Sequence, residues 1–323
     1  MTTKLGGRIL SSSKALPLIP CPKRSIGPRD FVEEYQLPSR PGLFQGLVRG
    51  KEGEQGTSWP ALRKWSKLVR GVETLGGMRN PESERLMVPV EVSRPGRGYM
   101  ESSSPSNEEG FVRSKRKGSD QGWQRLEMPF GIFLDAFIQR EIAWSSSPSS
   151  SPPLIGYMAQ FDLLSSCESL SKDAPSLPHS KAGPRSDREQ WRSNVWIGPE
   201  DTFTPIHSDP YENLLVQVVG SKRVHLFPPE AGHLIYLDRG GGGASSLQPN
   251  TSIVPTEDPL LLLPPQPSSS SPLDPFPDLQ EALALQGSRH AILHPGDVLF
   301  IPRGWYHCVR SLSTSVSVNW WFR

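Results

Sequence analysis

The sequence predicts a mainly β protein, a double-sheet jelly-roll barrel with helices of its N-terminal part packed outside and long, disordered Ser/Pro/Gly-rich insertions. Three observations lead there. From Asn194 onward, short β-like segments recur at 194–197, 202–207, 213–219, 222–228, 291–293, 297–301, 306–312 and 314–322, separated by Gly/Pro turns. Helical spacing is confined to the region before about residue 160. The apolar fraction is 35%, below the roughly 45–50% of globular domains, while 34 Pro and 29 Gly dilute the 323 residues. The pattern implies one folded domain over 24–323, with a helical part at 24–160, a barrel core at 194–323 and an insertion at 240–277, preceded by a disordered leader at 1–23.

The elements follow in order. The first 29 residues carry Lys4, Arg8, Lys14, Lys23, Arg24 and Arg29 without an acid, but Gly6, Gly7, Pro17, Pro20 and Pro22 would break an amphipathic targeting helix. Residues 30–37 read as a short helix with Asp30 as N-cap, and 42–48 as an extended piece. After a polar insertion at 50–58, Leu62, Trp65, Leu68 and Val69 share one side of a helix over Trp59–Val69. Leu86–Val92 is strand-like, with Pro89 marking a sheet edge. Phe130, Phe133, Leu134, Phe137 and Ile138 give an amphipathic helix over Pro129–Ile142. Residues 101–122, 145–153 and 172–190 read as low-complexity loops. The four-glycine, PLLLLPPQP and SSSSP runs of 240–277 read as one surface insertion, tolerable because loop closure costs grow slowly with length.

Composition removes several function classes. A net charge of +2 supplies no general field for nucleic acid. No apolar run approaches the ~18 residues of a membrane span. Cys21, Cys167 and Cys308 form no zinc-type spacing and fit a reducing compartment, so nucleus or cytoplasm is the expected setting, with the basic run Arg113–Lys117 in keeping with the former.

Thr204-Pro205-Ile206-His207-Ser208-Asp209 carries the chemistry. On a strand, residues i and i+2 share a face, so His207 and Asp209 point into the barrel together. His307 follows 100 positions later in Trp305-Tyr306-His307, behind the turn at Gly296-Asp297 and a β segment. Two imidazoles and a carboxylate on one face of Fe(II) leave positions open for a cosubstrate and O2. The competing reading makes His207 a loop histidine and Asp209 a turn cap before Pro210. It leaves the common placement at strand ends unexplained.

These phrases, with RPGLFQGL, WPALRKWS, VPVEV, MPFGIFLDAFI, GYMAQFDLL, NVWIGPEDTFTPIHSDPYENLLVQVVGSKRVHLFPP and HPGDVLFIPRGWYHCVRSLSTSVSVNWWF, make the chain from about Arg24 onward resemble the JmjC (cupin-like) hydroxylases. The likeness is strongest to the group of JmjC-domain-containing protein 5, or lysine-specific demethylase 8. The resemblance implies dependence on Fe(II), 2-oxoglutarate and O2, with His207, Asp209 and His307 as metal ligands. It implies that Lys222 meets the distal carboxylate of 2-oxoglutarate, and that Tyr157, Thr204 and Asn213 hydrogen-bond the same acid. Trp321 and Trp196 would line the pocket. The family's acidic stretch before the NxWxGP phrase is replaced by the basic, proline-rich 178–192. The function expected is hydroxylation of a protein side chain, arginine among the options. Histone lysine demethylation, tRNA hydroxylation by the same fold, and a non-oxygenase metal cupin or binding module are the alternatives. A peptide segment of a protein is the expected partner, nucleic acid an unexpected one; oligomeric state is not legible.

Overall fold

Alternation along the last strand shows how the sheets form. Val316, Val318, Trp320 and Phe322 fall on one face, while Ser317, Asn319 and Trp321 fall on the other. The computed structural model describes residues 17–22, 25–50, 58–93, 124–140, 154–182, 190–238, 249–254 and 276–323. Its strands are β1 (Gly42–Phe44), β2 (Leu68–Val69), β3 (Val72–Glu73), β4 (Met87–Ser93), β5 (Gln124–Pro129), β6 (Ile155–Phe161) and β7 (Gln190–Gly198). The barrel continues with β8 (Phe203–Ser208), β9 (Glu212–Val219), β10 (Lys222–Phe227), β11 (Arg289–Leu293), β12 (Val298–Ile301), β13 (Tyr306–Ser311) and β14 (Ser315–Phe322). An eight-stranded sheet in the order β1, β12, β9, β14, β7, β6, β4, β5 faces a four-stranded sheet in the order β11, β10, β13, β8. Neighbouring strands pair antiparallel, which makes this the mainly β jelly-roll architecture read from the sequence.

Three apolar layers hold the sheets. Leu215, Val224, Leu226, Leu293, Leu299 and Ile301 fill the space between them. Phe31, Trp65, Phe130, Phe133, Trp320 and Phe322 pack the N-terminal turns against the outer face of the larger sheet. Phe203, Ile206, Phe227 and Cys308 lie outside the smaller one, under Pro229–His233 and the helix Leu279–Ala284. The turn into β12 is closed by Gly296, at φ +94°, and by Asp297, whose carboxylate accepts from the amides of Gly46 and His294 at 2.9 Å each.

Several local expectations change. The helix expected over Trp59–Val69 is only Ala61–Lys64; Leu68 and Val69 instead form exposed β2. Arg70 and Gly71, both at positive φ, make the tight two-residue turn into β3, and the Glu73 carboxylate accepts from the amides of Lys67 and Leu75. Pro28–Phe31 and Phe130–Phe133 are α-helical turns that loosen into π-turns at Val32–Gln36 and Leu134–Ile138. β4 is not an edge strand: β5 and β6 flank it, and Pro89 lies outside the stretch Glu91–Ser93 that pairs with β6. Within the expected loop 172–190, Pro178–Lys181 forms a 3-10 turn whose buried His179 sits 2.8 Å from the Ile26 carbonyl through Nε2.

Two segments read as peripheral lie against the barrel. In the leader, the amides of Ile19 and His290 bond the carbonyls of His290 and Pro17, and Ile19 is buried. In the insertion, 249–254 runs along β8 and buries Val254 in the outer layer. The leader before residue 17, the loops at 101–122 and 145–153, the run Arg113–Lys117, and 239–248 and 255–275 of the insertion lie outside the described residues.

Candidate metal centre

The site grows from a fault in strand alternation. β13 pairs with β8 so that His307 faces His207 and Val309 faces Thr204, leaving Cys308 opposite both Pro205 and Ile206. This bulge places an extra residue in β8 and resets its parity. Thr204 and His207, three apart, therefore both line the cavity, while Ile206 turns to the outer apolar layer. Pro205 suits the position, since it has no amide to leave unpaired.

His207, Asp209 and His307 come together: one donor atom from each lies within 4.8 Å of the others. The imidazole centroids are 4.2 Å apart, and His307 Nε2 stands 3.7 Å from Asp209 Oδ2. Each Nδ1 faces a backbone carbonyl two residues back, His207 that of Pro205 at 2.9 Å and His307 that of Trp305 at 3.3 Å. A proton held on Nδ1 leaves Nε2 a free lone pair, the state a metal requires. Burial, and secondarily the neighbouring His207, push His307 down to about 4, so it is neutral at physiological pH and its approach to Asp209 is not an ion pair. Two imidazoles, one carboxylate and an open side fit a divalent metal of the iron type.

Asp209 is oriented by a relay. Trp196 Nε1 donates to Asn319 Oδ1 at 2.7 Å, Asn319 Nδ2 to Asn213 Oδ1 at 3.1 Å, and Asn213 Nδ2 to Asp209 Oδ2 at 3.3 Å. Asn213, expected at a cosubstrate, thus touches the carboxylate of the triad. Asn319 was missed: a lone Asn in a strand of alternating apolar residues carries no sequence signal.

The triad opens into a cavity of about 280 Å³ that also contains Tyr157, Thr204, Asn213, Lys222, Trp196 and Trp321, every residue singled out from the sequence. Gln160, Tyr211 and Asn250 join them. Gln160 sits at φ +52° where β6 shifts register against β7, a backbone irregularity that sequence does not announce. Lys222 is only 2% exposed, its Nζ 5.9 Å from the centre of the Tyr157 ring. Burial pushes its ammonium down to about 7, and among the described residues no carboxylate pairs with it. A buried cation without an anion is costly, so the pocket is built to receive one.

A family model for the cupin-like domain matches residues 28–323. The chain belongs to the cupin-like domain family. This cupin-like domain is 27% identical over 314 residues to lysine-specific demethylase 8 of Danio rerio, an alignment covering 97% of the chain and 60% of that protein. It is 27% identical to the Xenopus tropicalis protein of the same name, across 97% of the chain and 54% of that protein. Against Jumonji C domain-containing protein 5 of Drosophila melanogaster, identity is 26%, covering 82% and 52%. The cupin-like domain thus spans little more than half the length of these relatives.

Proposed function

We propose that the chain is an Fe(II)- and 2-oxoglutarate-dependent dioxygenase that hydroxylates a protein side chain. The observation that carries this reading is the presence, in one cavity, of a His/Asp/His donor set and a buried ammonium with no anionic partner. A non-oxygenase metal cupin needs only the first feature, and the second favours the oxygenase.

His207, Asp209 and His307 would hold the iron on one face. Lys222 would hold the distal carboxylate of 2-oxoglutarate, with Thr204 and the Tyr157 hydroxyl as hydrogen-bond partners. When bound, iron and 2-oxoglutarate supply the oxidising chemistry, yielding succinate and CO2 while one oxygen atom of O2 enters a substrate C–H bond. The protein's part is placement: carbonyls fix both imidazole tautomers, the Asn relay fixes the carboxylate, and aromatic walls restrict water.

Arginine is one candidate target. Lysine demethylation is the second reading, favoured by the names of the relatives. Among the described residues no helix is long and apolar enough to cross a membrane. Nucleus or cytoplasm is the setting we assign, because the three cysteines are sparse and free, as suits a reducing compartment. Succinate formation from 2-oxoglutarate, dependent on Fe(II) and lost in Asp209→Ala, tests the reaction class. Mass spectrometry for residues that lose one oxygen atom on deletion of the gene, against methyl groups that accumulate, separates the two targets.

A further inference from the structure

β8 is the open edge of the four-stranded sheet, and it carries His207 with Asp209 just beyond its end. Residues 250–252 close that edge. Thr251 pairs antiparallel with His207, and two backbone bonds bracket the pair: Ser252 N–H to the Ile206 carbonyl at 2.7 Å and Ser208 N–H to the Asn250 carbonyl at 3.2 Å. Asn250 adds a side-chain bond, Nδ2 donating to the Ser208 carbonyl at 2.8 Å. Ser208, the residue between two members of the donor triad, is therefore gripped at both its amide and its carbonyl by one residue. The segment is itself anchored from behind, by Thr251 and Tyr236 carbonyls accepting from Asp238 and Ile253 amides and by buried Val254.

We propose that Asn250 is a positioning residue of the metal centre, clamping Ser208 so that His207 and Asp209 converge on one point. The inference rests on the metal-centre reading above. An edge strand without a neighbour is free to twist and fray, and fraying at Ser208 would separate the two donors it joins. Asn250 is exposed at the cavity wall, so its side chain supports no apolar core and its loss is not a folding defect.

Calorimetric titration of the full chain with Mn(II), a redox-silent stand-in for iron, tests this. Partners that orient ligands typically contribute 10–100-fold in metal affinity; Asn250→Ala should weaken Mn(II) about tenfold while the metal-free melting temperature stays within about 2 °C of wild type. Asn250→Gln, which keeps a carboxamide donor, should recover most of the affinity. Thr251→Val is the control, since its buried hydroxyl has no hydrogen-bond partner, and it should bind Mn(II) like wild type. Wild-type affinity in Asn250→Ala, or an equal loss in Thr251→Val, overturns the clamp. Equal Mn(II) binding by wild type and Asp209→Ala instead overturns the metal centre itself, and the clamp with it.

Discussion

Replacing Lys222 by Ala removes a single charge from a cavity that supplies no other buried cation among its described walls. If that ammonium meets the distal carboxylate of 2-oxoglutarate, the variant leaves a carboxylate uncompensated where its partner was 2% exposed. Breaking a buried pair from one side costs ~3–5 kcal/mol, or roughly two to nearly four decades in dissociation constant. Lys222→Arg should regain part of this, because a planar fork replaces a point charge. Calorimetry with 2-oxoglutarate on the Mn(II) form measures it directly, and Arg223→Ala, altering the next and partly exposed residue of β10, is the control. The pH dependence gives a second reading of the same contact. With its ammonium near 7, against an ordinary ~10.4, Lys222 is charged below that value and largely neutral above it in the empty cavity. Affinity for the dianion is therefore full below pH 7 and falls up to about tenfold per unit above it, with uptake of up to about one proton per ligand at pH 8. Stability of the empty protein moves the other way: the unfolded chain binds the extra proton between about 7 and 10.4, so this group's contribution rises with pH across that window. Equal, pH-independent affinities in Lys222→Ala and Arg223→Ala would refute the assignment.

Other variants probe the surroundings. His207→Ala and Asp209→Ala should each abolish Mn(II) binding with the circular dichroism spectrum intact, since three donors leave no redundancy. Trp196→Phe removes the first donor of the Asn relay and keeps an aromatic ring beside Tyr157; roughly tenfold weaker Mn(II) binding is expected, against no change if the relay is idle. Val254→Ala should cost roughly 1–3 kcal/mol in urea unfolding, because this residue of the insertion is 1% exposed; a loss within error would show that the segment is not part of the core.

The barrel strands were legible by alternation, as in β14, or by Gly and Pro at the ends of an apolar run, as Gly296 and Pro302 set off β12; both fall within a residue of their expected bounds. The triad was legible for a related reason: His207 and Asp209 are local in sequence, and His307 follows a recognisable turn. Features made by long-range pairing were not. Asn250 gains its place only when an insertion folds back on β8, and Asn319 only when β14 lies beside β9. The helix expected at Trp59–Val69 failed because Glu73, beyond the window of helical periodicity, captures the amides at the hairpin base.

The bulge at Pro205–Ile206 gives β8 one spare residue, and in one place only. Removing Pro205 would leave Ile206 alone opposite Cys308 and set Thr204 and His207 two apart, which simple alternation still puts on one face, so both would keep their places in the cavity. The same change at Ser208 has no bulge to absorb it: with one residue fewer or one more between them, His207 and Asp209 would point to opposite sides. In any collection of variants, a single-codon deletion should therefore be borne at 205 and not at 208.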